Sequence, residues 1–405
     1  MTRILFVDDE TSILDGLKRM LRPLRQEWEM SFAPGAEPAL ALLEATPFDV
    51  IVTDMRMPGM DGAALLEIVR EKYPSVLRII LSGYTELQAS LRAVSVAHQF
   101  LLKPCDPDML RAGISRATSL GKVLDSRMLT SLVGALRDLP SLPRVFTELK
   151  LALANPKATI DQIASIVEQD IAISAKLLQL VNSAFFGVAR DVIDVKTAVS
   201  CLGMTVLHDL VISLEVFRSF TPNEFISEKY LEEFHSHAQL TARIAAGIAH
   251  TAKISSAVVL AALLHDVGKL VIAERTPAHF ARALAQSEQE GKPLFEIEES
   301  LIHLSHAEVG AYLLSLWGFP YSVVEAVAHH HHPRRVPQGG IDMVLVVYVS
   351  NILALERTAL AGGTNSLQLD MELLEQNNAT SFLPEWRKIA EAADSKQTQP
   401  VVIST

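Results

Sequence analysis

Three aspartates and one lysine stand at positions where a parallel sheet would gather them at one edge. Asp8 and Asp9 follow a short apolar run near the start of the chain. Asp54 follows a second such run, and Lys103 follows a later one. Clustered carboxylates repel one another unless a cation is present, and oxygen-only ligands suit Mg²⁺. A carboxylate can also attack phosphorus to form an aspartyl phosphate, whose charge a lysine stabilises.

A second group of residues that could do chemistry is rich in histidine. Eleven of the thirteen histidines lie between residues 235 and 332. His265 and Asp266 stand side by side in an apolar helical run, where a polar pair needs a partner or a metal ion. Glu233 and His237 are four residues apart and share a helix face. Imidazole and carboxylate groups suit Zn, Fe, Ni or Mn, although each histidine taken alone also fits a structural role.

The first 120 residues alternate short apolar runs with amphipathic stretches such as Ile13–Leu21. This alternation indicates parallel βαβ units, and sheets of this kind present functional groups at the carboxyl ends of their strands. We expect an α/β doubly wound, five-stranded parallel sheet. Its predicted strands are Ile4–Val7, Met30–Ala33, Val50–Thr53, Arg78–Leu81 and Phe100–Leu102.

Strand patterns end after Pro140, and helical periodicity continues to about Leu355. We therefore divide the chain into a sheet domain at residues 1–120, a helical connector at 121–138, an all-α domain at 139–385 and a tail at 386–405. The helical pattern of residues 108–138 has two interpretations. It is either a connector that pairs with its copy in a homodimer, or an amphipathic helix packed on its own domain.

Composition narrows the classes of function. The net charge is −11 without a basic stripe, which argues against a nucleic-acid-binding output. Two cysteines far apart in sequence fit a reducing compartment. The N-terminus does not read as a signal peptide, and the most apolar segments are too short to span a membrane. We expect a cytoplasmic protein without membrane insertion.

The N-terminal part resembles response-regulator receiver domains, which have a flavodoxin-like fold. The matching segments are Asp8-Asp9, Asp54–Gly62 (DMRMPGMDG), Leu81–Tyr84 (LSGY) and Lys103-Pro104. The resemblance implies that a sensor histidine kinase phosphorylates Asp54 in a two-component phosphorelay.

This resemblance also implies roles for individual residues. Asp9, Asp54 and the backbone carbonyl of Arg56 would hold Mg²⁺, with Asp8 acting through water. Ser82 would move toward the phosphoryl group, and Phe100 would be the aromatic residue that switches rotamer.

The C-terminal part resembles the HDOD family, relatives of HD-superfamily metal-dependent phosphohydrolases. The matching segments are Leu139–Pro143, Leu178–Ser183, Leu202-Gly203, His265–Lys269, His306–Gly310, Trp317–Pro320 and His330–Pro333. The resemblance implies an all-α fold. It also implies a possible second metal site of Fe, Mn, Zn or Ni, with Lys269 nearby, at the positions Glu233, His237, His265, Asp266, His306, His330 and His331.

Two departures from the hydrolytic HD enzymes bear on the activity. Neutral Asn351 stands where a closing aspartate is expected, and a Gly-Tyr-Pro loop after the paired histidines is absent from the sequence. We therefore expect an output that works through protein–protein interaction with a downstream signalling protein. The alternative is a phosphorylation-gated, metal-dependent phosphodiesterase that acts on a cyclic (di)nucleotide.

Overall fold

The computed structural model describes residues 1–82, 96–103, 110–111, 114, 127–134, 136, 140–141, 143–153, 155, 157–182, 192–208, 218–219, 227–336, 340–360 and 367–394. The N-terminal part contains a parallel sheet with strand order β2-β1-β3-β4-β5. Its strands are β1 (Thr2–Val7), β2 (Trp28–Ala33), β3 (Val50–Asp54), β4 (Leu77–Ser82) and β5 (Gln99–Leu102). Each overlaps a segment in which the sequence predicts a strand.

Three described helices connect the first four strands: α1 (Thr11–Met20), α2 (Ala36–Ala45) and α3 (Gly62–Lys72). The central strands are buried along their length, as in β3, where all five residues are buried. Burial on both faces explains why these strands read as continuous apolar runs without polar alternation. The carboxyl ends of β1, β3 and β5 therefore place Asp8, Asp54 and Lys103 at one edge of the sheet.

The C-terminal part is mostly helical. Its described helices are α4 (Arg127–Gly134), α5 (Pro143–Leu153), α6 (Ile160–Val167), α7 (Ile171–Asn182), α8 (Val195–His208), α9 (Glu228–Ala252), α10 (Ala257–Leu264), α11 (Val267–Arg275), α12 (Pro277–Glu290), α13 (Leu294–Ile302), α14 (His306–Leu316), α15 (Tyr321–His329), α16 (Met343–Leu360), α17 (Met371–Gln376) and α18 (Leu383–Asp394). The long helix α9 packs against α10, α16 and α18 and forms the centre of this domain. An α/β parallel sheet followed by a mostly helical domain is thus confirmed.

Two details differ from the sequence analysis. A pair of two-residue parallel strands, β6 (Pro140–Ser141) and β7 (Arg218–Ser219), lies within the domain expected to be all-α. Strands this short carry no alternating pattern that a sequence could reveal. The tail does not begin at residue 386, because α18 continues to Asp394 and its Trp386 is fully buried.

The two parts contact each other at the amino ends of β4 and β5. Arg78 in β4 is buried and donates hydrogen bonds to the carbonyls of Val76 and Val96 and to the carbonyl of Gly134 in α4. His98, before β5, lies beside Arg78, and its carbonyl accepts a hydrogen bond from Gln179 in α7. This contact lies at the end of the sheet opposite to Asp54.

Helix α4 packs against α11 and α14 of the helical domain, with Leu129 and Val133 buried. The described residues 127–134 of the predicted connector therefore pack on the helical domain. Residues 121–126, 135, 137 and 138 of the predicted connector lie outside the described residues, and the homodimer stays a prediction. No helix in the described ranges combines the length and the apolar character needed to cross a membrane.

Two candidate functional sites

The first candidate site joins three charged side chains at the carboxyl edge of the sheet. Lys103 Nζ lies 2.7 Å from Asp8 Oδ2 and also donates a hydrogen bond to Asp54 Oδ1. Both carboxylates are buried, and Lys103 is partly exposed. Two buried carboxylates share one ammonium group, so the local charge is negative and the residues fit a bound cation.

The loop that follows β3 holds Asp54 in place. The backbone N–H of Arg56 donates to Asp54 Oδ2 over 2.7 Å, which fixes the second carboxylate oxygen. Gly62, the first residue of α3, lies so close that a Cβ there would be 2.2 Å from the carbonyl oxygen of Asp54. Asp61 caps α3 by accepting a hydrogen bond from the N–H of Ala64. The sequence Asp54–Gly62 thus matches what this tight turn requires.

The environment shifts the pKa of both partners in this site. Burial raises the pKa of Asp54 above its usual range, although the hydrogen bond from Lys103 opposes that shift. Burial also disfavours the Lys103 ammonium, but its hydrogen bonds to Asp54 and Asp8 prevail and raise the pKa of Lys103. The ammonium group is therefore held charged beside the carboxylates, where a phosphoryl group would arrive.

Other residues predicted for this site stand apart or are not described. Asp9 is exposed, and Asp8, Asp9 and Asp54 do not bring three ligand atoms within 4.8 Å of one another in the described structure. The side chains of Ser82 and Phe100 lie outside the described residues, although Ser82 ends β4 and Phe100 stands in β5. The magnesium ligands, including the Arg56 carbonyl, stay a prediction.

The second candidate site is a buried group of histidines around Asp266. Its ligand-type atoms fall into two sets that share Asp266: one with His306, His330 and His331, and one with His237 and His265. On one side, Asp266 Oδ1 lies 3.1 Å from His306 Nε2 and 3.6 Å from His330 Nε2. On the other side, Asp266 Oδ2 lies 3.4 Å from His265 Nε2. A single carboxylate therefore lies between two histidine sets.

Hydrogen bonds on the far side of the ring set the orientation of two of these histidines. Nδ1 of His265 lies 2.7 Å from the carbonyl of Ala262, and Nδ1 of His330 lies 2.7 Å from the carbonyl of Val327. Since a carbonyl only accepts, each Nδ1 carries a proton and each Nε2 faces Asp266. Nε2 of His265 and Nε2 of His330 have no hydrogen-bond partner among the described residues.

His306 is oriented by a residue that the sequence analysis missed. Glu298 is buried in α13, and its Oε2 lies 2.6 Å from His306 Nδ1 and accepts a hydrogen bond from the His306 backbone N–H. A carboxylate behind a histidine is the usual support of a metal-binding imidazole. Glu296 and Glu299 stand beside it in sequence, so no pattern distinguishes Glu298 without the structure.

Two neighbouring side chains, Lys269 and Asn351, contact members of the histidine group. Lys269 Nζ donates to Asp266 Oδ2 over 2.6 Å, one helical turn along α11. His237 Nε2 lies 3.0 Å from the side-chain oxygen of Asn351 in α16. Glu233 does not join the group, because it is exposed and paired with Lys229.

The charge states of His237, His330 and Asp266 suit metal binding. Burial lowers the pKa of His237 to about 3 and the pKa of His330 to about 4, so both rings are neutral at pH 7. Burial opposes charge on Asp266, but the neighbouring His265 and Lys269 hold the pKa of this carboxyl well below its usual range. For His306, burial is outweighed by Glu298 and Asp266, which raise its pKa, so a proton competes with any ion at this ring.

Close packing of α11 on α14 brings Asp266 to His306. A Cβ on Gly268 would lie 1.9 Å from the carbonyl oxygen of His306, and a Cβ on Gly310 would lie 3.0 Å from the N of Gly268. The two helices therefore touch backbone to backbone. This explains why glycines stand within both histidine segments.

A cavity of about 820 Å³ opens beside the histidine group. His306, His331 and Lys269 form part of its wall near the cluster. Tyr230 and Phe295 contribute aromatic surface, and Phe295 stacks on the ring of His331 at 4.2 Å. The cavity has room for a small ligand.

Comparisons with known proteins each match part of the chain. An uncharacterized protein of Treponema pallidum (strain Nichols) is 24% identical over 227 residues, covering 56% of this chain and 44% of that protein. The DNA-binding transcriptional regulator NtrC of Escherichia coli (strain K12) is 40% identical over 114 residues, covering 28% of this chain and 24% of NtrC. The chain thus spans less than half the length of these curated relatives.

Solved structures also match part of the chain. The MmoQ response regulator of Methylococcus capsulatus is 20% identical, with a TM-score of 0.48, and the match covers 62% of this chain and 98% of that chain. A response regulator receiver domain protein of Clostridium thermocellum is 30% identical, with a TM-score of 0.29, and the match covers 31% of this chain and 99% of that chain.

Family models locate both domains along the chain. The response regulator receiver domain matches residues 4–115, and the HDOD domain matches residues 139–333. The first range contains Asp8, Asp54 and Lys103, and the second contains the histidine group around Asp266. The chain therefore consists of an N-terminal response-regulator receiver domain followed by a C-terminal HDOD output domain.

Proposed function

We propose that a sensor histidine kinase phosphorylates Asp54, and that this event controls an HDOD module which acts by binding another signalling protein. The observation that carries the proposal is the contact of Lys103 with both Asp8 and Asp54. This contact supports the proposal, because phosphoryl transfer requires a nucleophilic carboxylate beside a fixed positive charge.

The chemistry follows from the positions of these groups. A carboxylate oxygen of Asp54 attacks the phosphorus, the bond from phosphorus to the donor nitrogen breaks, and an acyl phosphate forms on Asp54. Lys103 stabilises the charge on the transferred phosphoryl oxygens. Mg²⁺, held by Asp8, Asp9, Asp54 and the Arg56 carbonyl, would supply further neutralisation when bound. The new phosphoryl group adds about −1.5 to −2 charges at the site.

The receiver assignment is tested by labelling with a small phosphodonor. Wild-type protein incubated with acetyl phosphate and Mg²⁺ should gain one phosphoryl group per chain, and Asp54→Asn should gain none, because an amide is not a nucleophile toward phosphorus. The measurement is intact mass, or retardation on a phosphate-binding gel. Asp15→Asn is the matched control, since Asp15 is exposed in α1 and paired only with Lys18 among the described residues. Persistent labelling of Asp54→Asn would contradict the assignment.

The residues and hydrogen bonds of the histidine group support an interaction module rather than a hydrolase. Asn351 contributes a neutral oxygen to His237 where a hydrolase would use a carboxylate. A pair of metal ions that activates water between them needs an anionic ligand at this position. The net charge of −11 further disfavours an output that binds nucleic acid.

The cavity favours one alternative, a phosphodiesterase that acts on a cyclic nucleotide. It combines aromatic walls with Lys269 and lies against His306 and His331. Such a surface would suit a base and a phosphate together.

The two functions are separated by an assay of purified protein with cyclic mononucleotides and dinucleotides, with and without Mn²⁺ or Fe²⁺. We expect no turnover by either the unphosphorylated or the phosphorylated protein. Hydrolysis by wild-type protein that is lost in both His265→Ala and Lys269→Ala would establish the phosphodiesterase instead. Folding of both variants is checked by circular dichroism, since His265 is fully buried.

A further inference from the structure

We propose that Arg78, His98 and Gln179 form a latch between the receiver and the HDOD domain, which Arg78 closes and His98 weakens. A docked and an undocked arrangement of the two domains are then close in free energy, and both are populated. This inference goes beyond the proposed function. It concerns the contact between the domains in the unphosphorylated chain, so it does not depend on the chemistry of Asp54.

Arg78 closes the latch through a hydrogen bond that crosses from the receiver to the helical part. Arg78 is 1% exposed, and its Nη2 donates to the carbonyl of Gly134 in α4 over 2.8 Å. Nε and Nη1 donate to the carbonyls of Val96 and Val76 within the receiver. A planar guanidinium contacts several acceptors at once, whereas a lysine ammonium is a single point charge on a flexible stem. The docked arrangement therefore depends on the guanidinium of Arg78.

His98 opposes the same contact, because its ring presents a proton to the guanidinium. The backbone N–H of Arg78 donates to His98 Nδ1 over 3.1 Å, so this nitrogen carries no proton. Burial, assisted by the charge of Arg78, lowers the pKa of His98 well below its usual range, and the neutral ring therefore carries its one proton on Nε2. His98 Nε2 lies 2.9 Å from Arg78 Nη2, which can only donate.

The two donors that face each other destabilise the docked arrangement rather than the receiver alone. In the docked arrangement α4 covers the guanidinium of Arg78 and holds its Nη2 beside the ring of His98. Undocking uncovers the guanidinium and lets it turn away from the ring into water. Each donor then has water as an acceptor, so the repulsion is relieved.

Gln179 also lacks a good partner in the docked arrangement. Its side-chain nitrogen donates to the carbonyl of His98 at 3.4 Å, which is long for a hydrogen bond. Its Oε1 is buried and has no hydrogen-bond partner among the described residues. Rotation of the amide would place this oxygen against the carbonyl oxygen, so the other orientation is worse. The buried acceptor gains a partner when water reaches α7, and this favours the undocked arrangement.

The charges around the latch oppose docking as well. Burial and the charge of Arg78 lower the pKa of His98, and the charge of buried Lys176 in α7 adds to this effect. Burial lowers the pKa of Arg78 to about 9, and the charge of Arg70 in α3 adds to this effect. Positive charges from both domains are thus brought together in a buried region, where salt screens their repulsion least.

The test measures the two arrangements in the full-length, unphosphorylated protein. Spin labels are placed on Cys201, which is exposed in α8, and on Glu44→Cys in α2, where the native side chain is exposed. Cys105→Ser removes the other native thiol. Pulsed electron–electron double resonance then gives the distribution of distances between the two labels. We expect a narrow main population and a broad minor population of about 10%.

Two variants should shift this distribution in opposite directions. Arg78→Lys keeps the charge but loses hydrogen bonds at the boundary, so we expect the ratio of broad to narrow populations to rise about 10-fold or more. His98→Asn keeps an acceptor for the Arg78 N–H on its Oδ1 but has no ring proton facing Nη2, so we expect this ratio to fall about 3-fold or more. Arg22→Lys and His279→Asn are the matched controls, because both residues are exposed, and they should equal the labelled wild type.

A single narrow population in the labelled wild type would overturn the proposal, because the latch requires both arrangements to be populated. An unchanged or larger broad population in His98→Asn would overturn the weakening role of His98. Circular dichroism shows whether each variant folds. If Arg78→Lys does not fold, the wild type and His98→Asn still decide the outcome.

Discussion

At the scale of single residues, both sites depend on side chains that hold other side chains in position. In the receiver, the N–H of Arg56 fixes one oxygen of Asp54 while Lys103 binds the other. In the HDOD domain, Glu298 fixes His306 from behind. Such supporting groups set the orientation of a metal-binding side chain and the tautomer of an imidazole ring. They therefore influence the affinity for a metal as much as the binding side chain itself does.

Glu298 gives a prediction at this scale. Glu298→Gln keeps the shape of the side chain but removes its charge, so His306 becomes a weaker and less firmly oriented ligand. We expect the affinity for Zn²⁺ to fall about 10- to 100-fold, measured by competition with a chromophoric chelator. Glu299→Gln is the matched control, because Glu299 is the next residue, partly exposed and close to His332 instead. Equal affinities of the two variants would show that Glu298 does not support a metal ligand.

At the scale of elements, the pair α11 and α14 is the rigid part of the HDOD site. Gly268 and Gly310 bring the two backbones into contact, and Asp266 and His306 stand at the start of the two helices. A shift of one helix along the other would change the separation of Asp266 and His306. Helix α4 packs on both helices, so it is placed to transmit a displacement to them.

The same helix α4 is the element that touches the receiver. The carbonyl of Gly134, at its last residue, accepts a hydrogen bond from buried Arg78. Burial, assisted by the charge of Arg70, lowers the pKa of Arg78 to about 9, so the guanidinium is still charged at neutral pH. Burial, assisted by the charge of Arg78, also lowers the pKa of His98 well below its usual range, so its neutral ring lies against the guanidinium.

At the scale of the whole molecule, the two sites lie on opposite sides of the contact between the domains. Asp54 stands at the carboxyl ends of the strands, and the contact with α4 and α7 is made at the amino ends of β4 and β5. Phosphorylation can control the output only to the extent that such contacts differ between the two states. By the same linkage, an ion or partner bound at the HDOD domain must alter the receiver equally.

A glycine substitution tests the importance of this contact. A Cβ at Gly134 would lie 1.7 Å from the carbonyl oxygen of Pro74, so Gly134→Ala must push the two domains apart. We expect a loss of about 1–3 kcal/mol in the free energy of unfolding, and a separate melting transition for the receiver. Calorimetry and urea denaturation measure both effects.

Gly16→Ala is the control for this substitution, because Gly16 lies in α1 with no atom within 4 Å of its ideal Cβ. The control should be neutral or slightly stabilising, since alanine favours a helix more than glycine does. If Gly134→Ala unfolds like the control, in a single transition and at the same urea concentration, the domains are not coupled through this contact.

Sequence patterns alone predict the receiver strands and the residues that meet at their carboxyl ends. Buried parallel strands read as apolar runs, and the order of strands and helices fixes which ends share an edge. Sequence patterns also revealed the histidine-containing segments and the neutral Asn351, since each can be recognised from the residues around it in the chain. They did not reveal α18, where Leu383, Trp386 and Ala390 form a buried stripe among charged residues.

Tertiary packing determines which residues that are distant in sequence come into contact. Glu298 behind His306, Lys269 on Asp266 rather than in solvent, and the exposure of Glu233 all depend on how helices pack, and no spacing along the chain encodes them. The contact of Arg78 with Gly134 joins positions 56 residues apart. Helix packing is set by the fit of whole surfaces, so these relations exist only once the chain has folded.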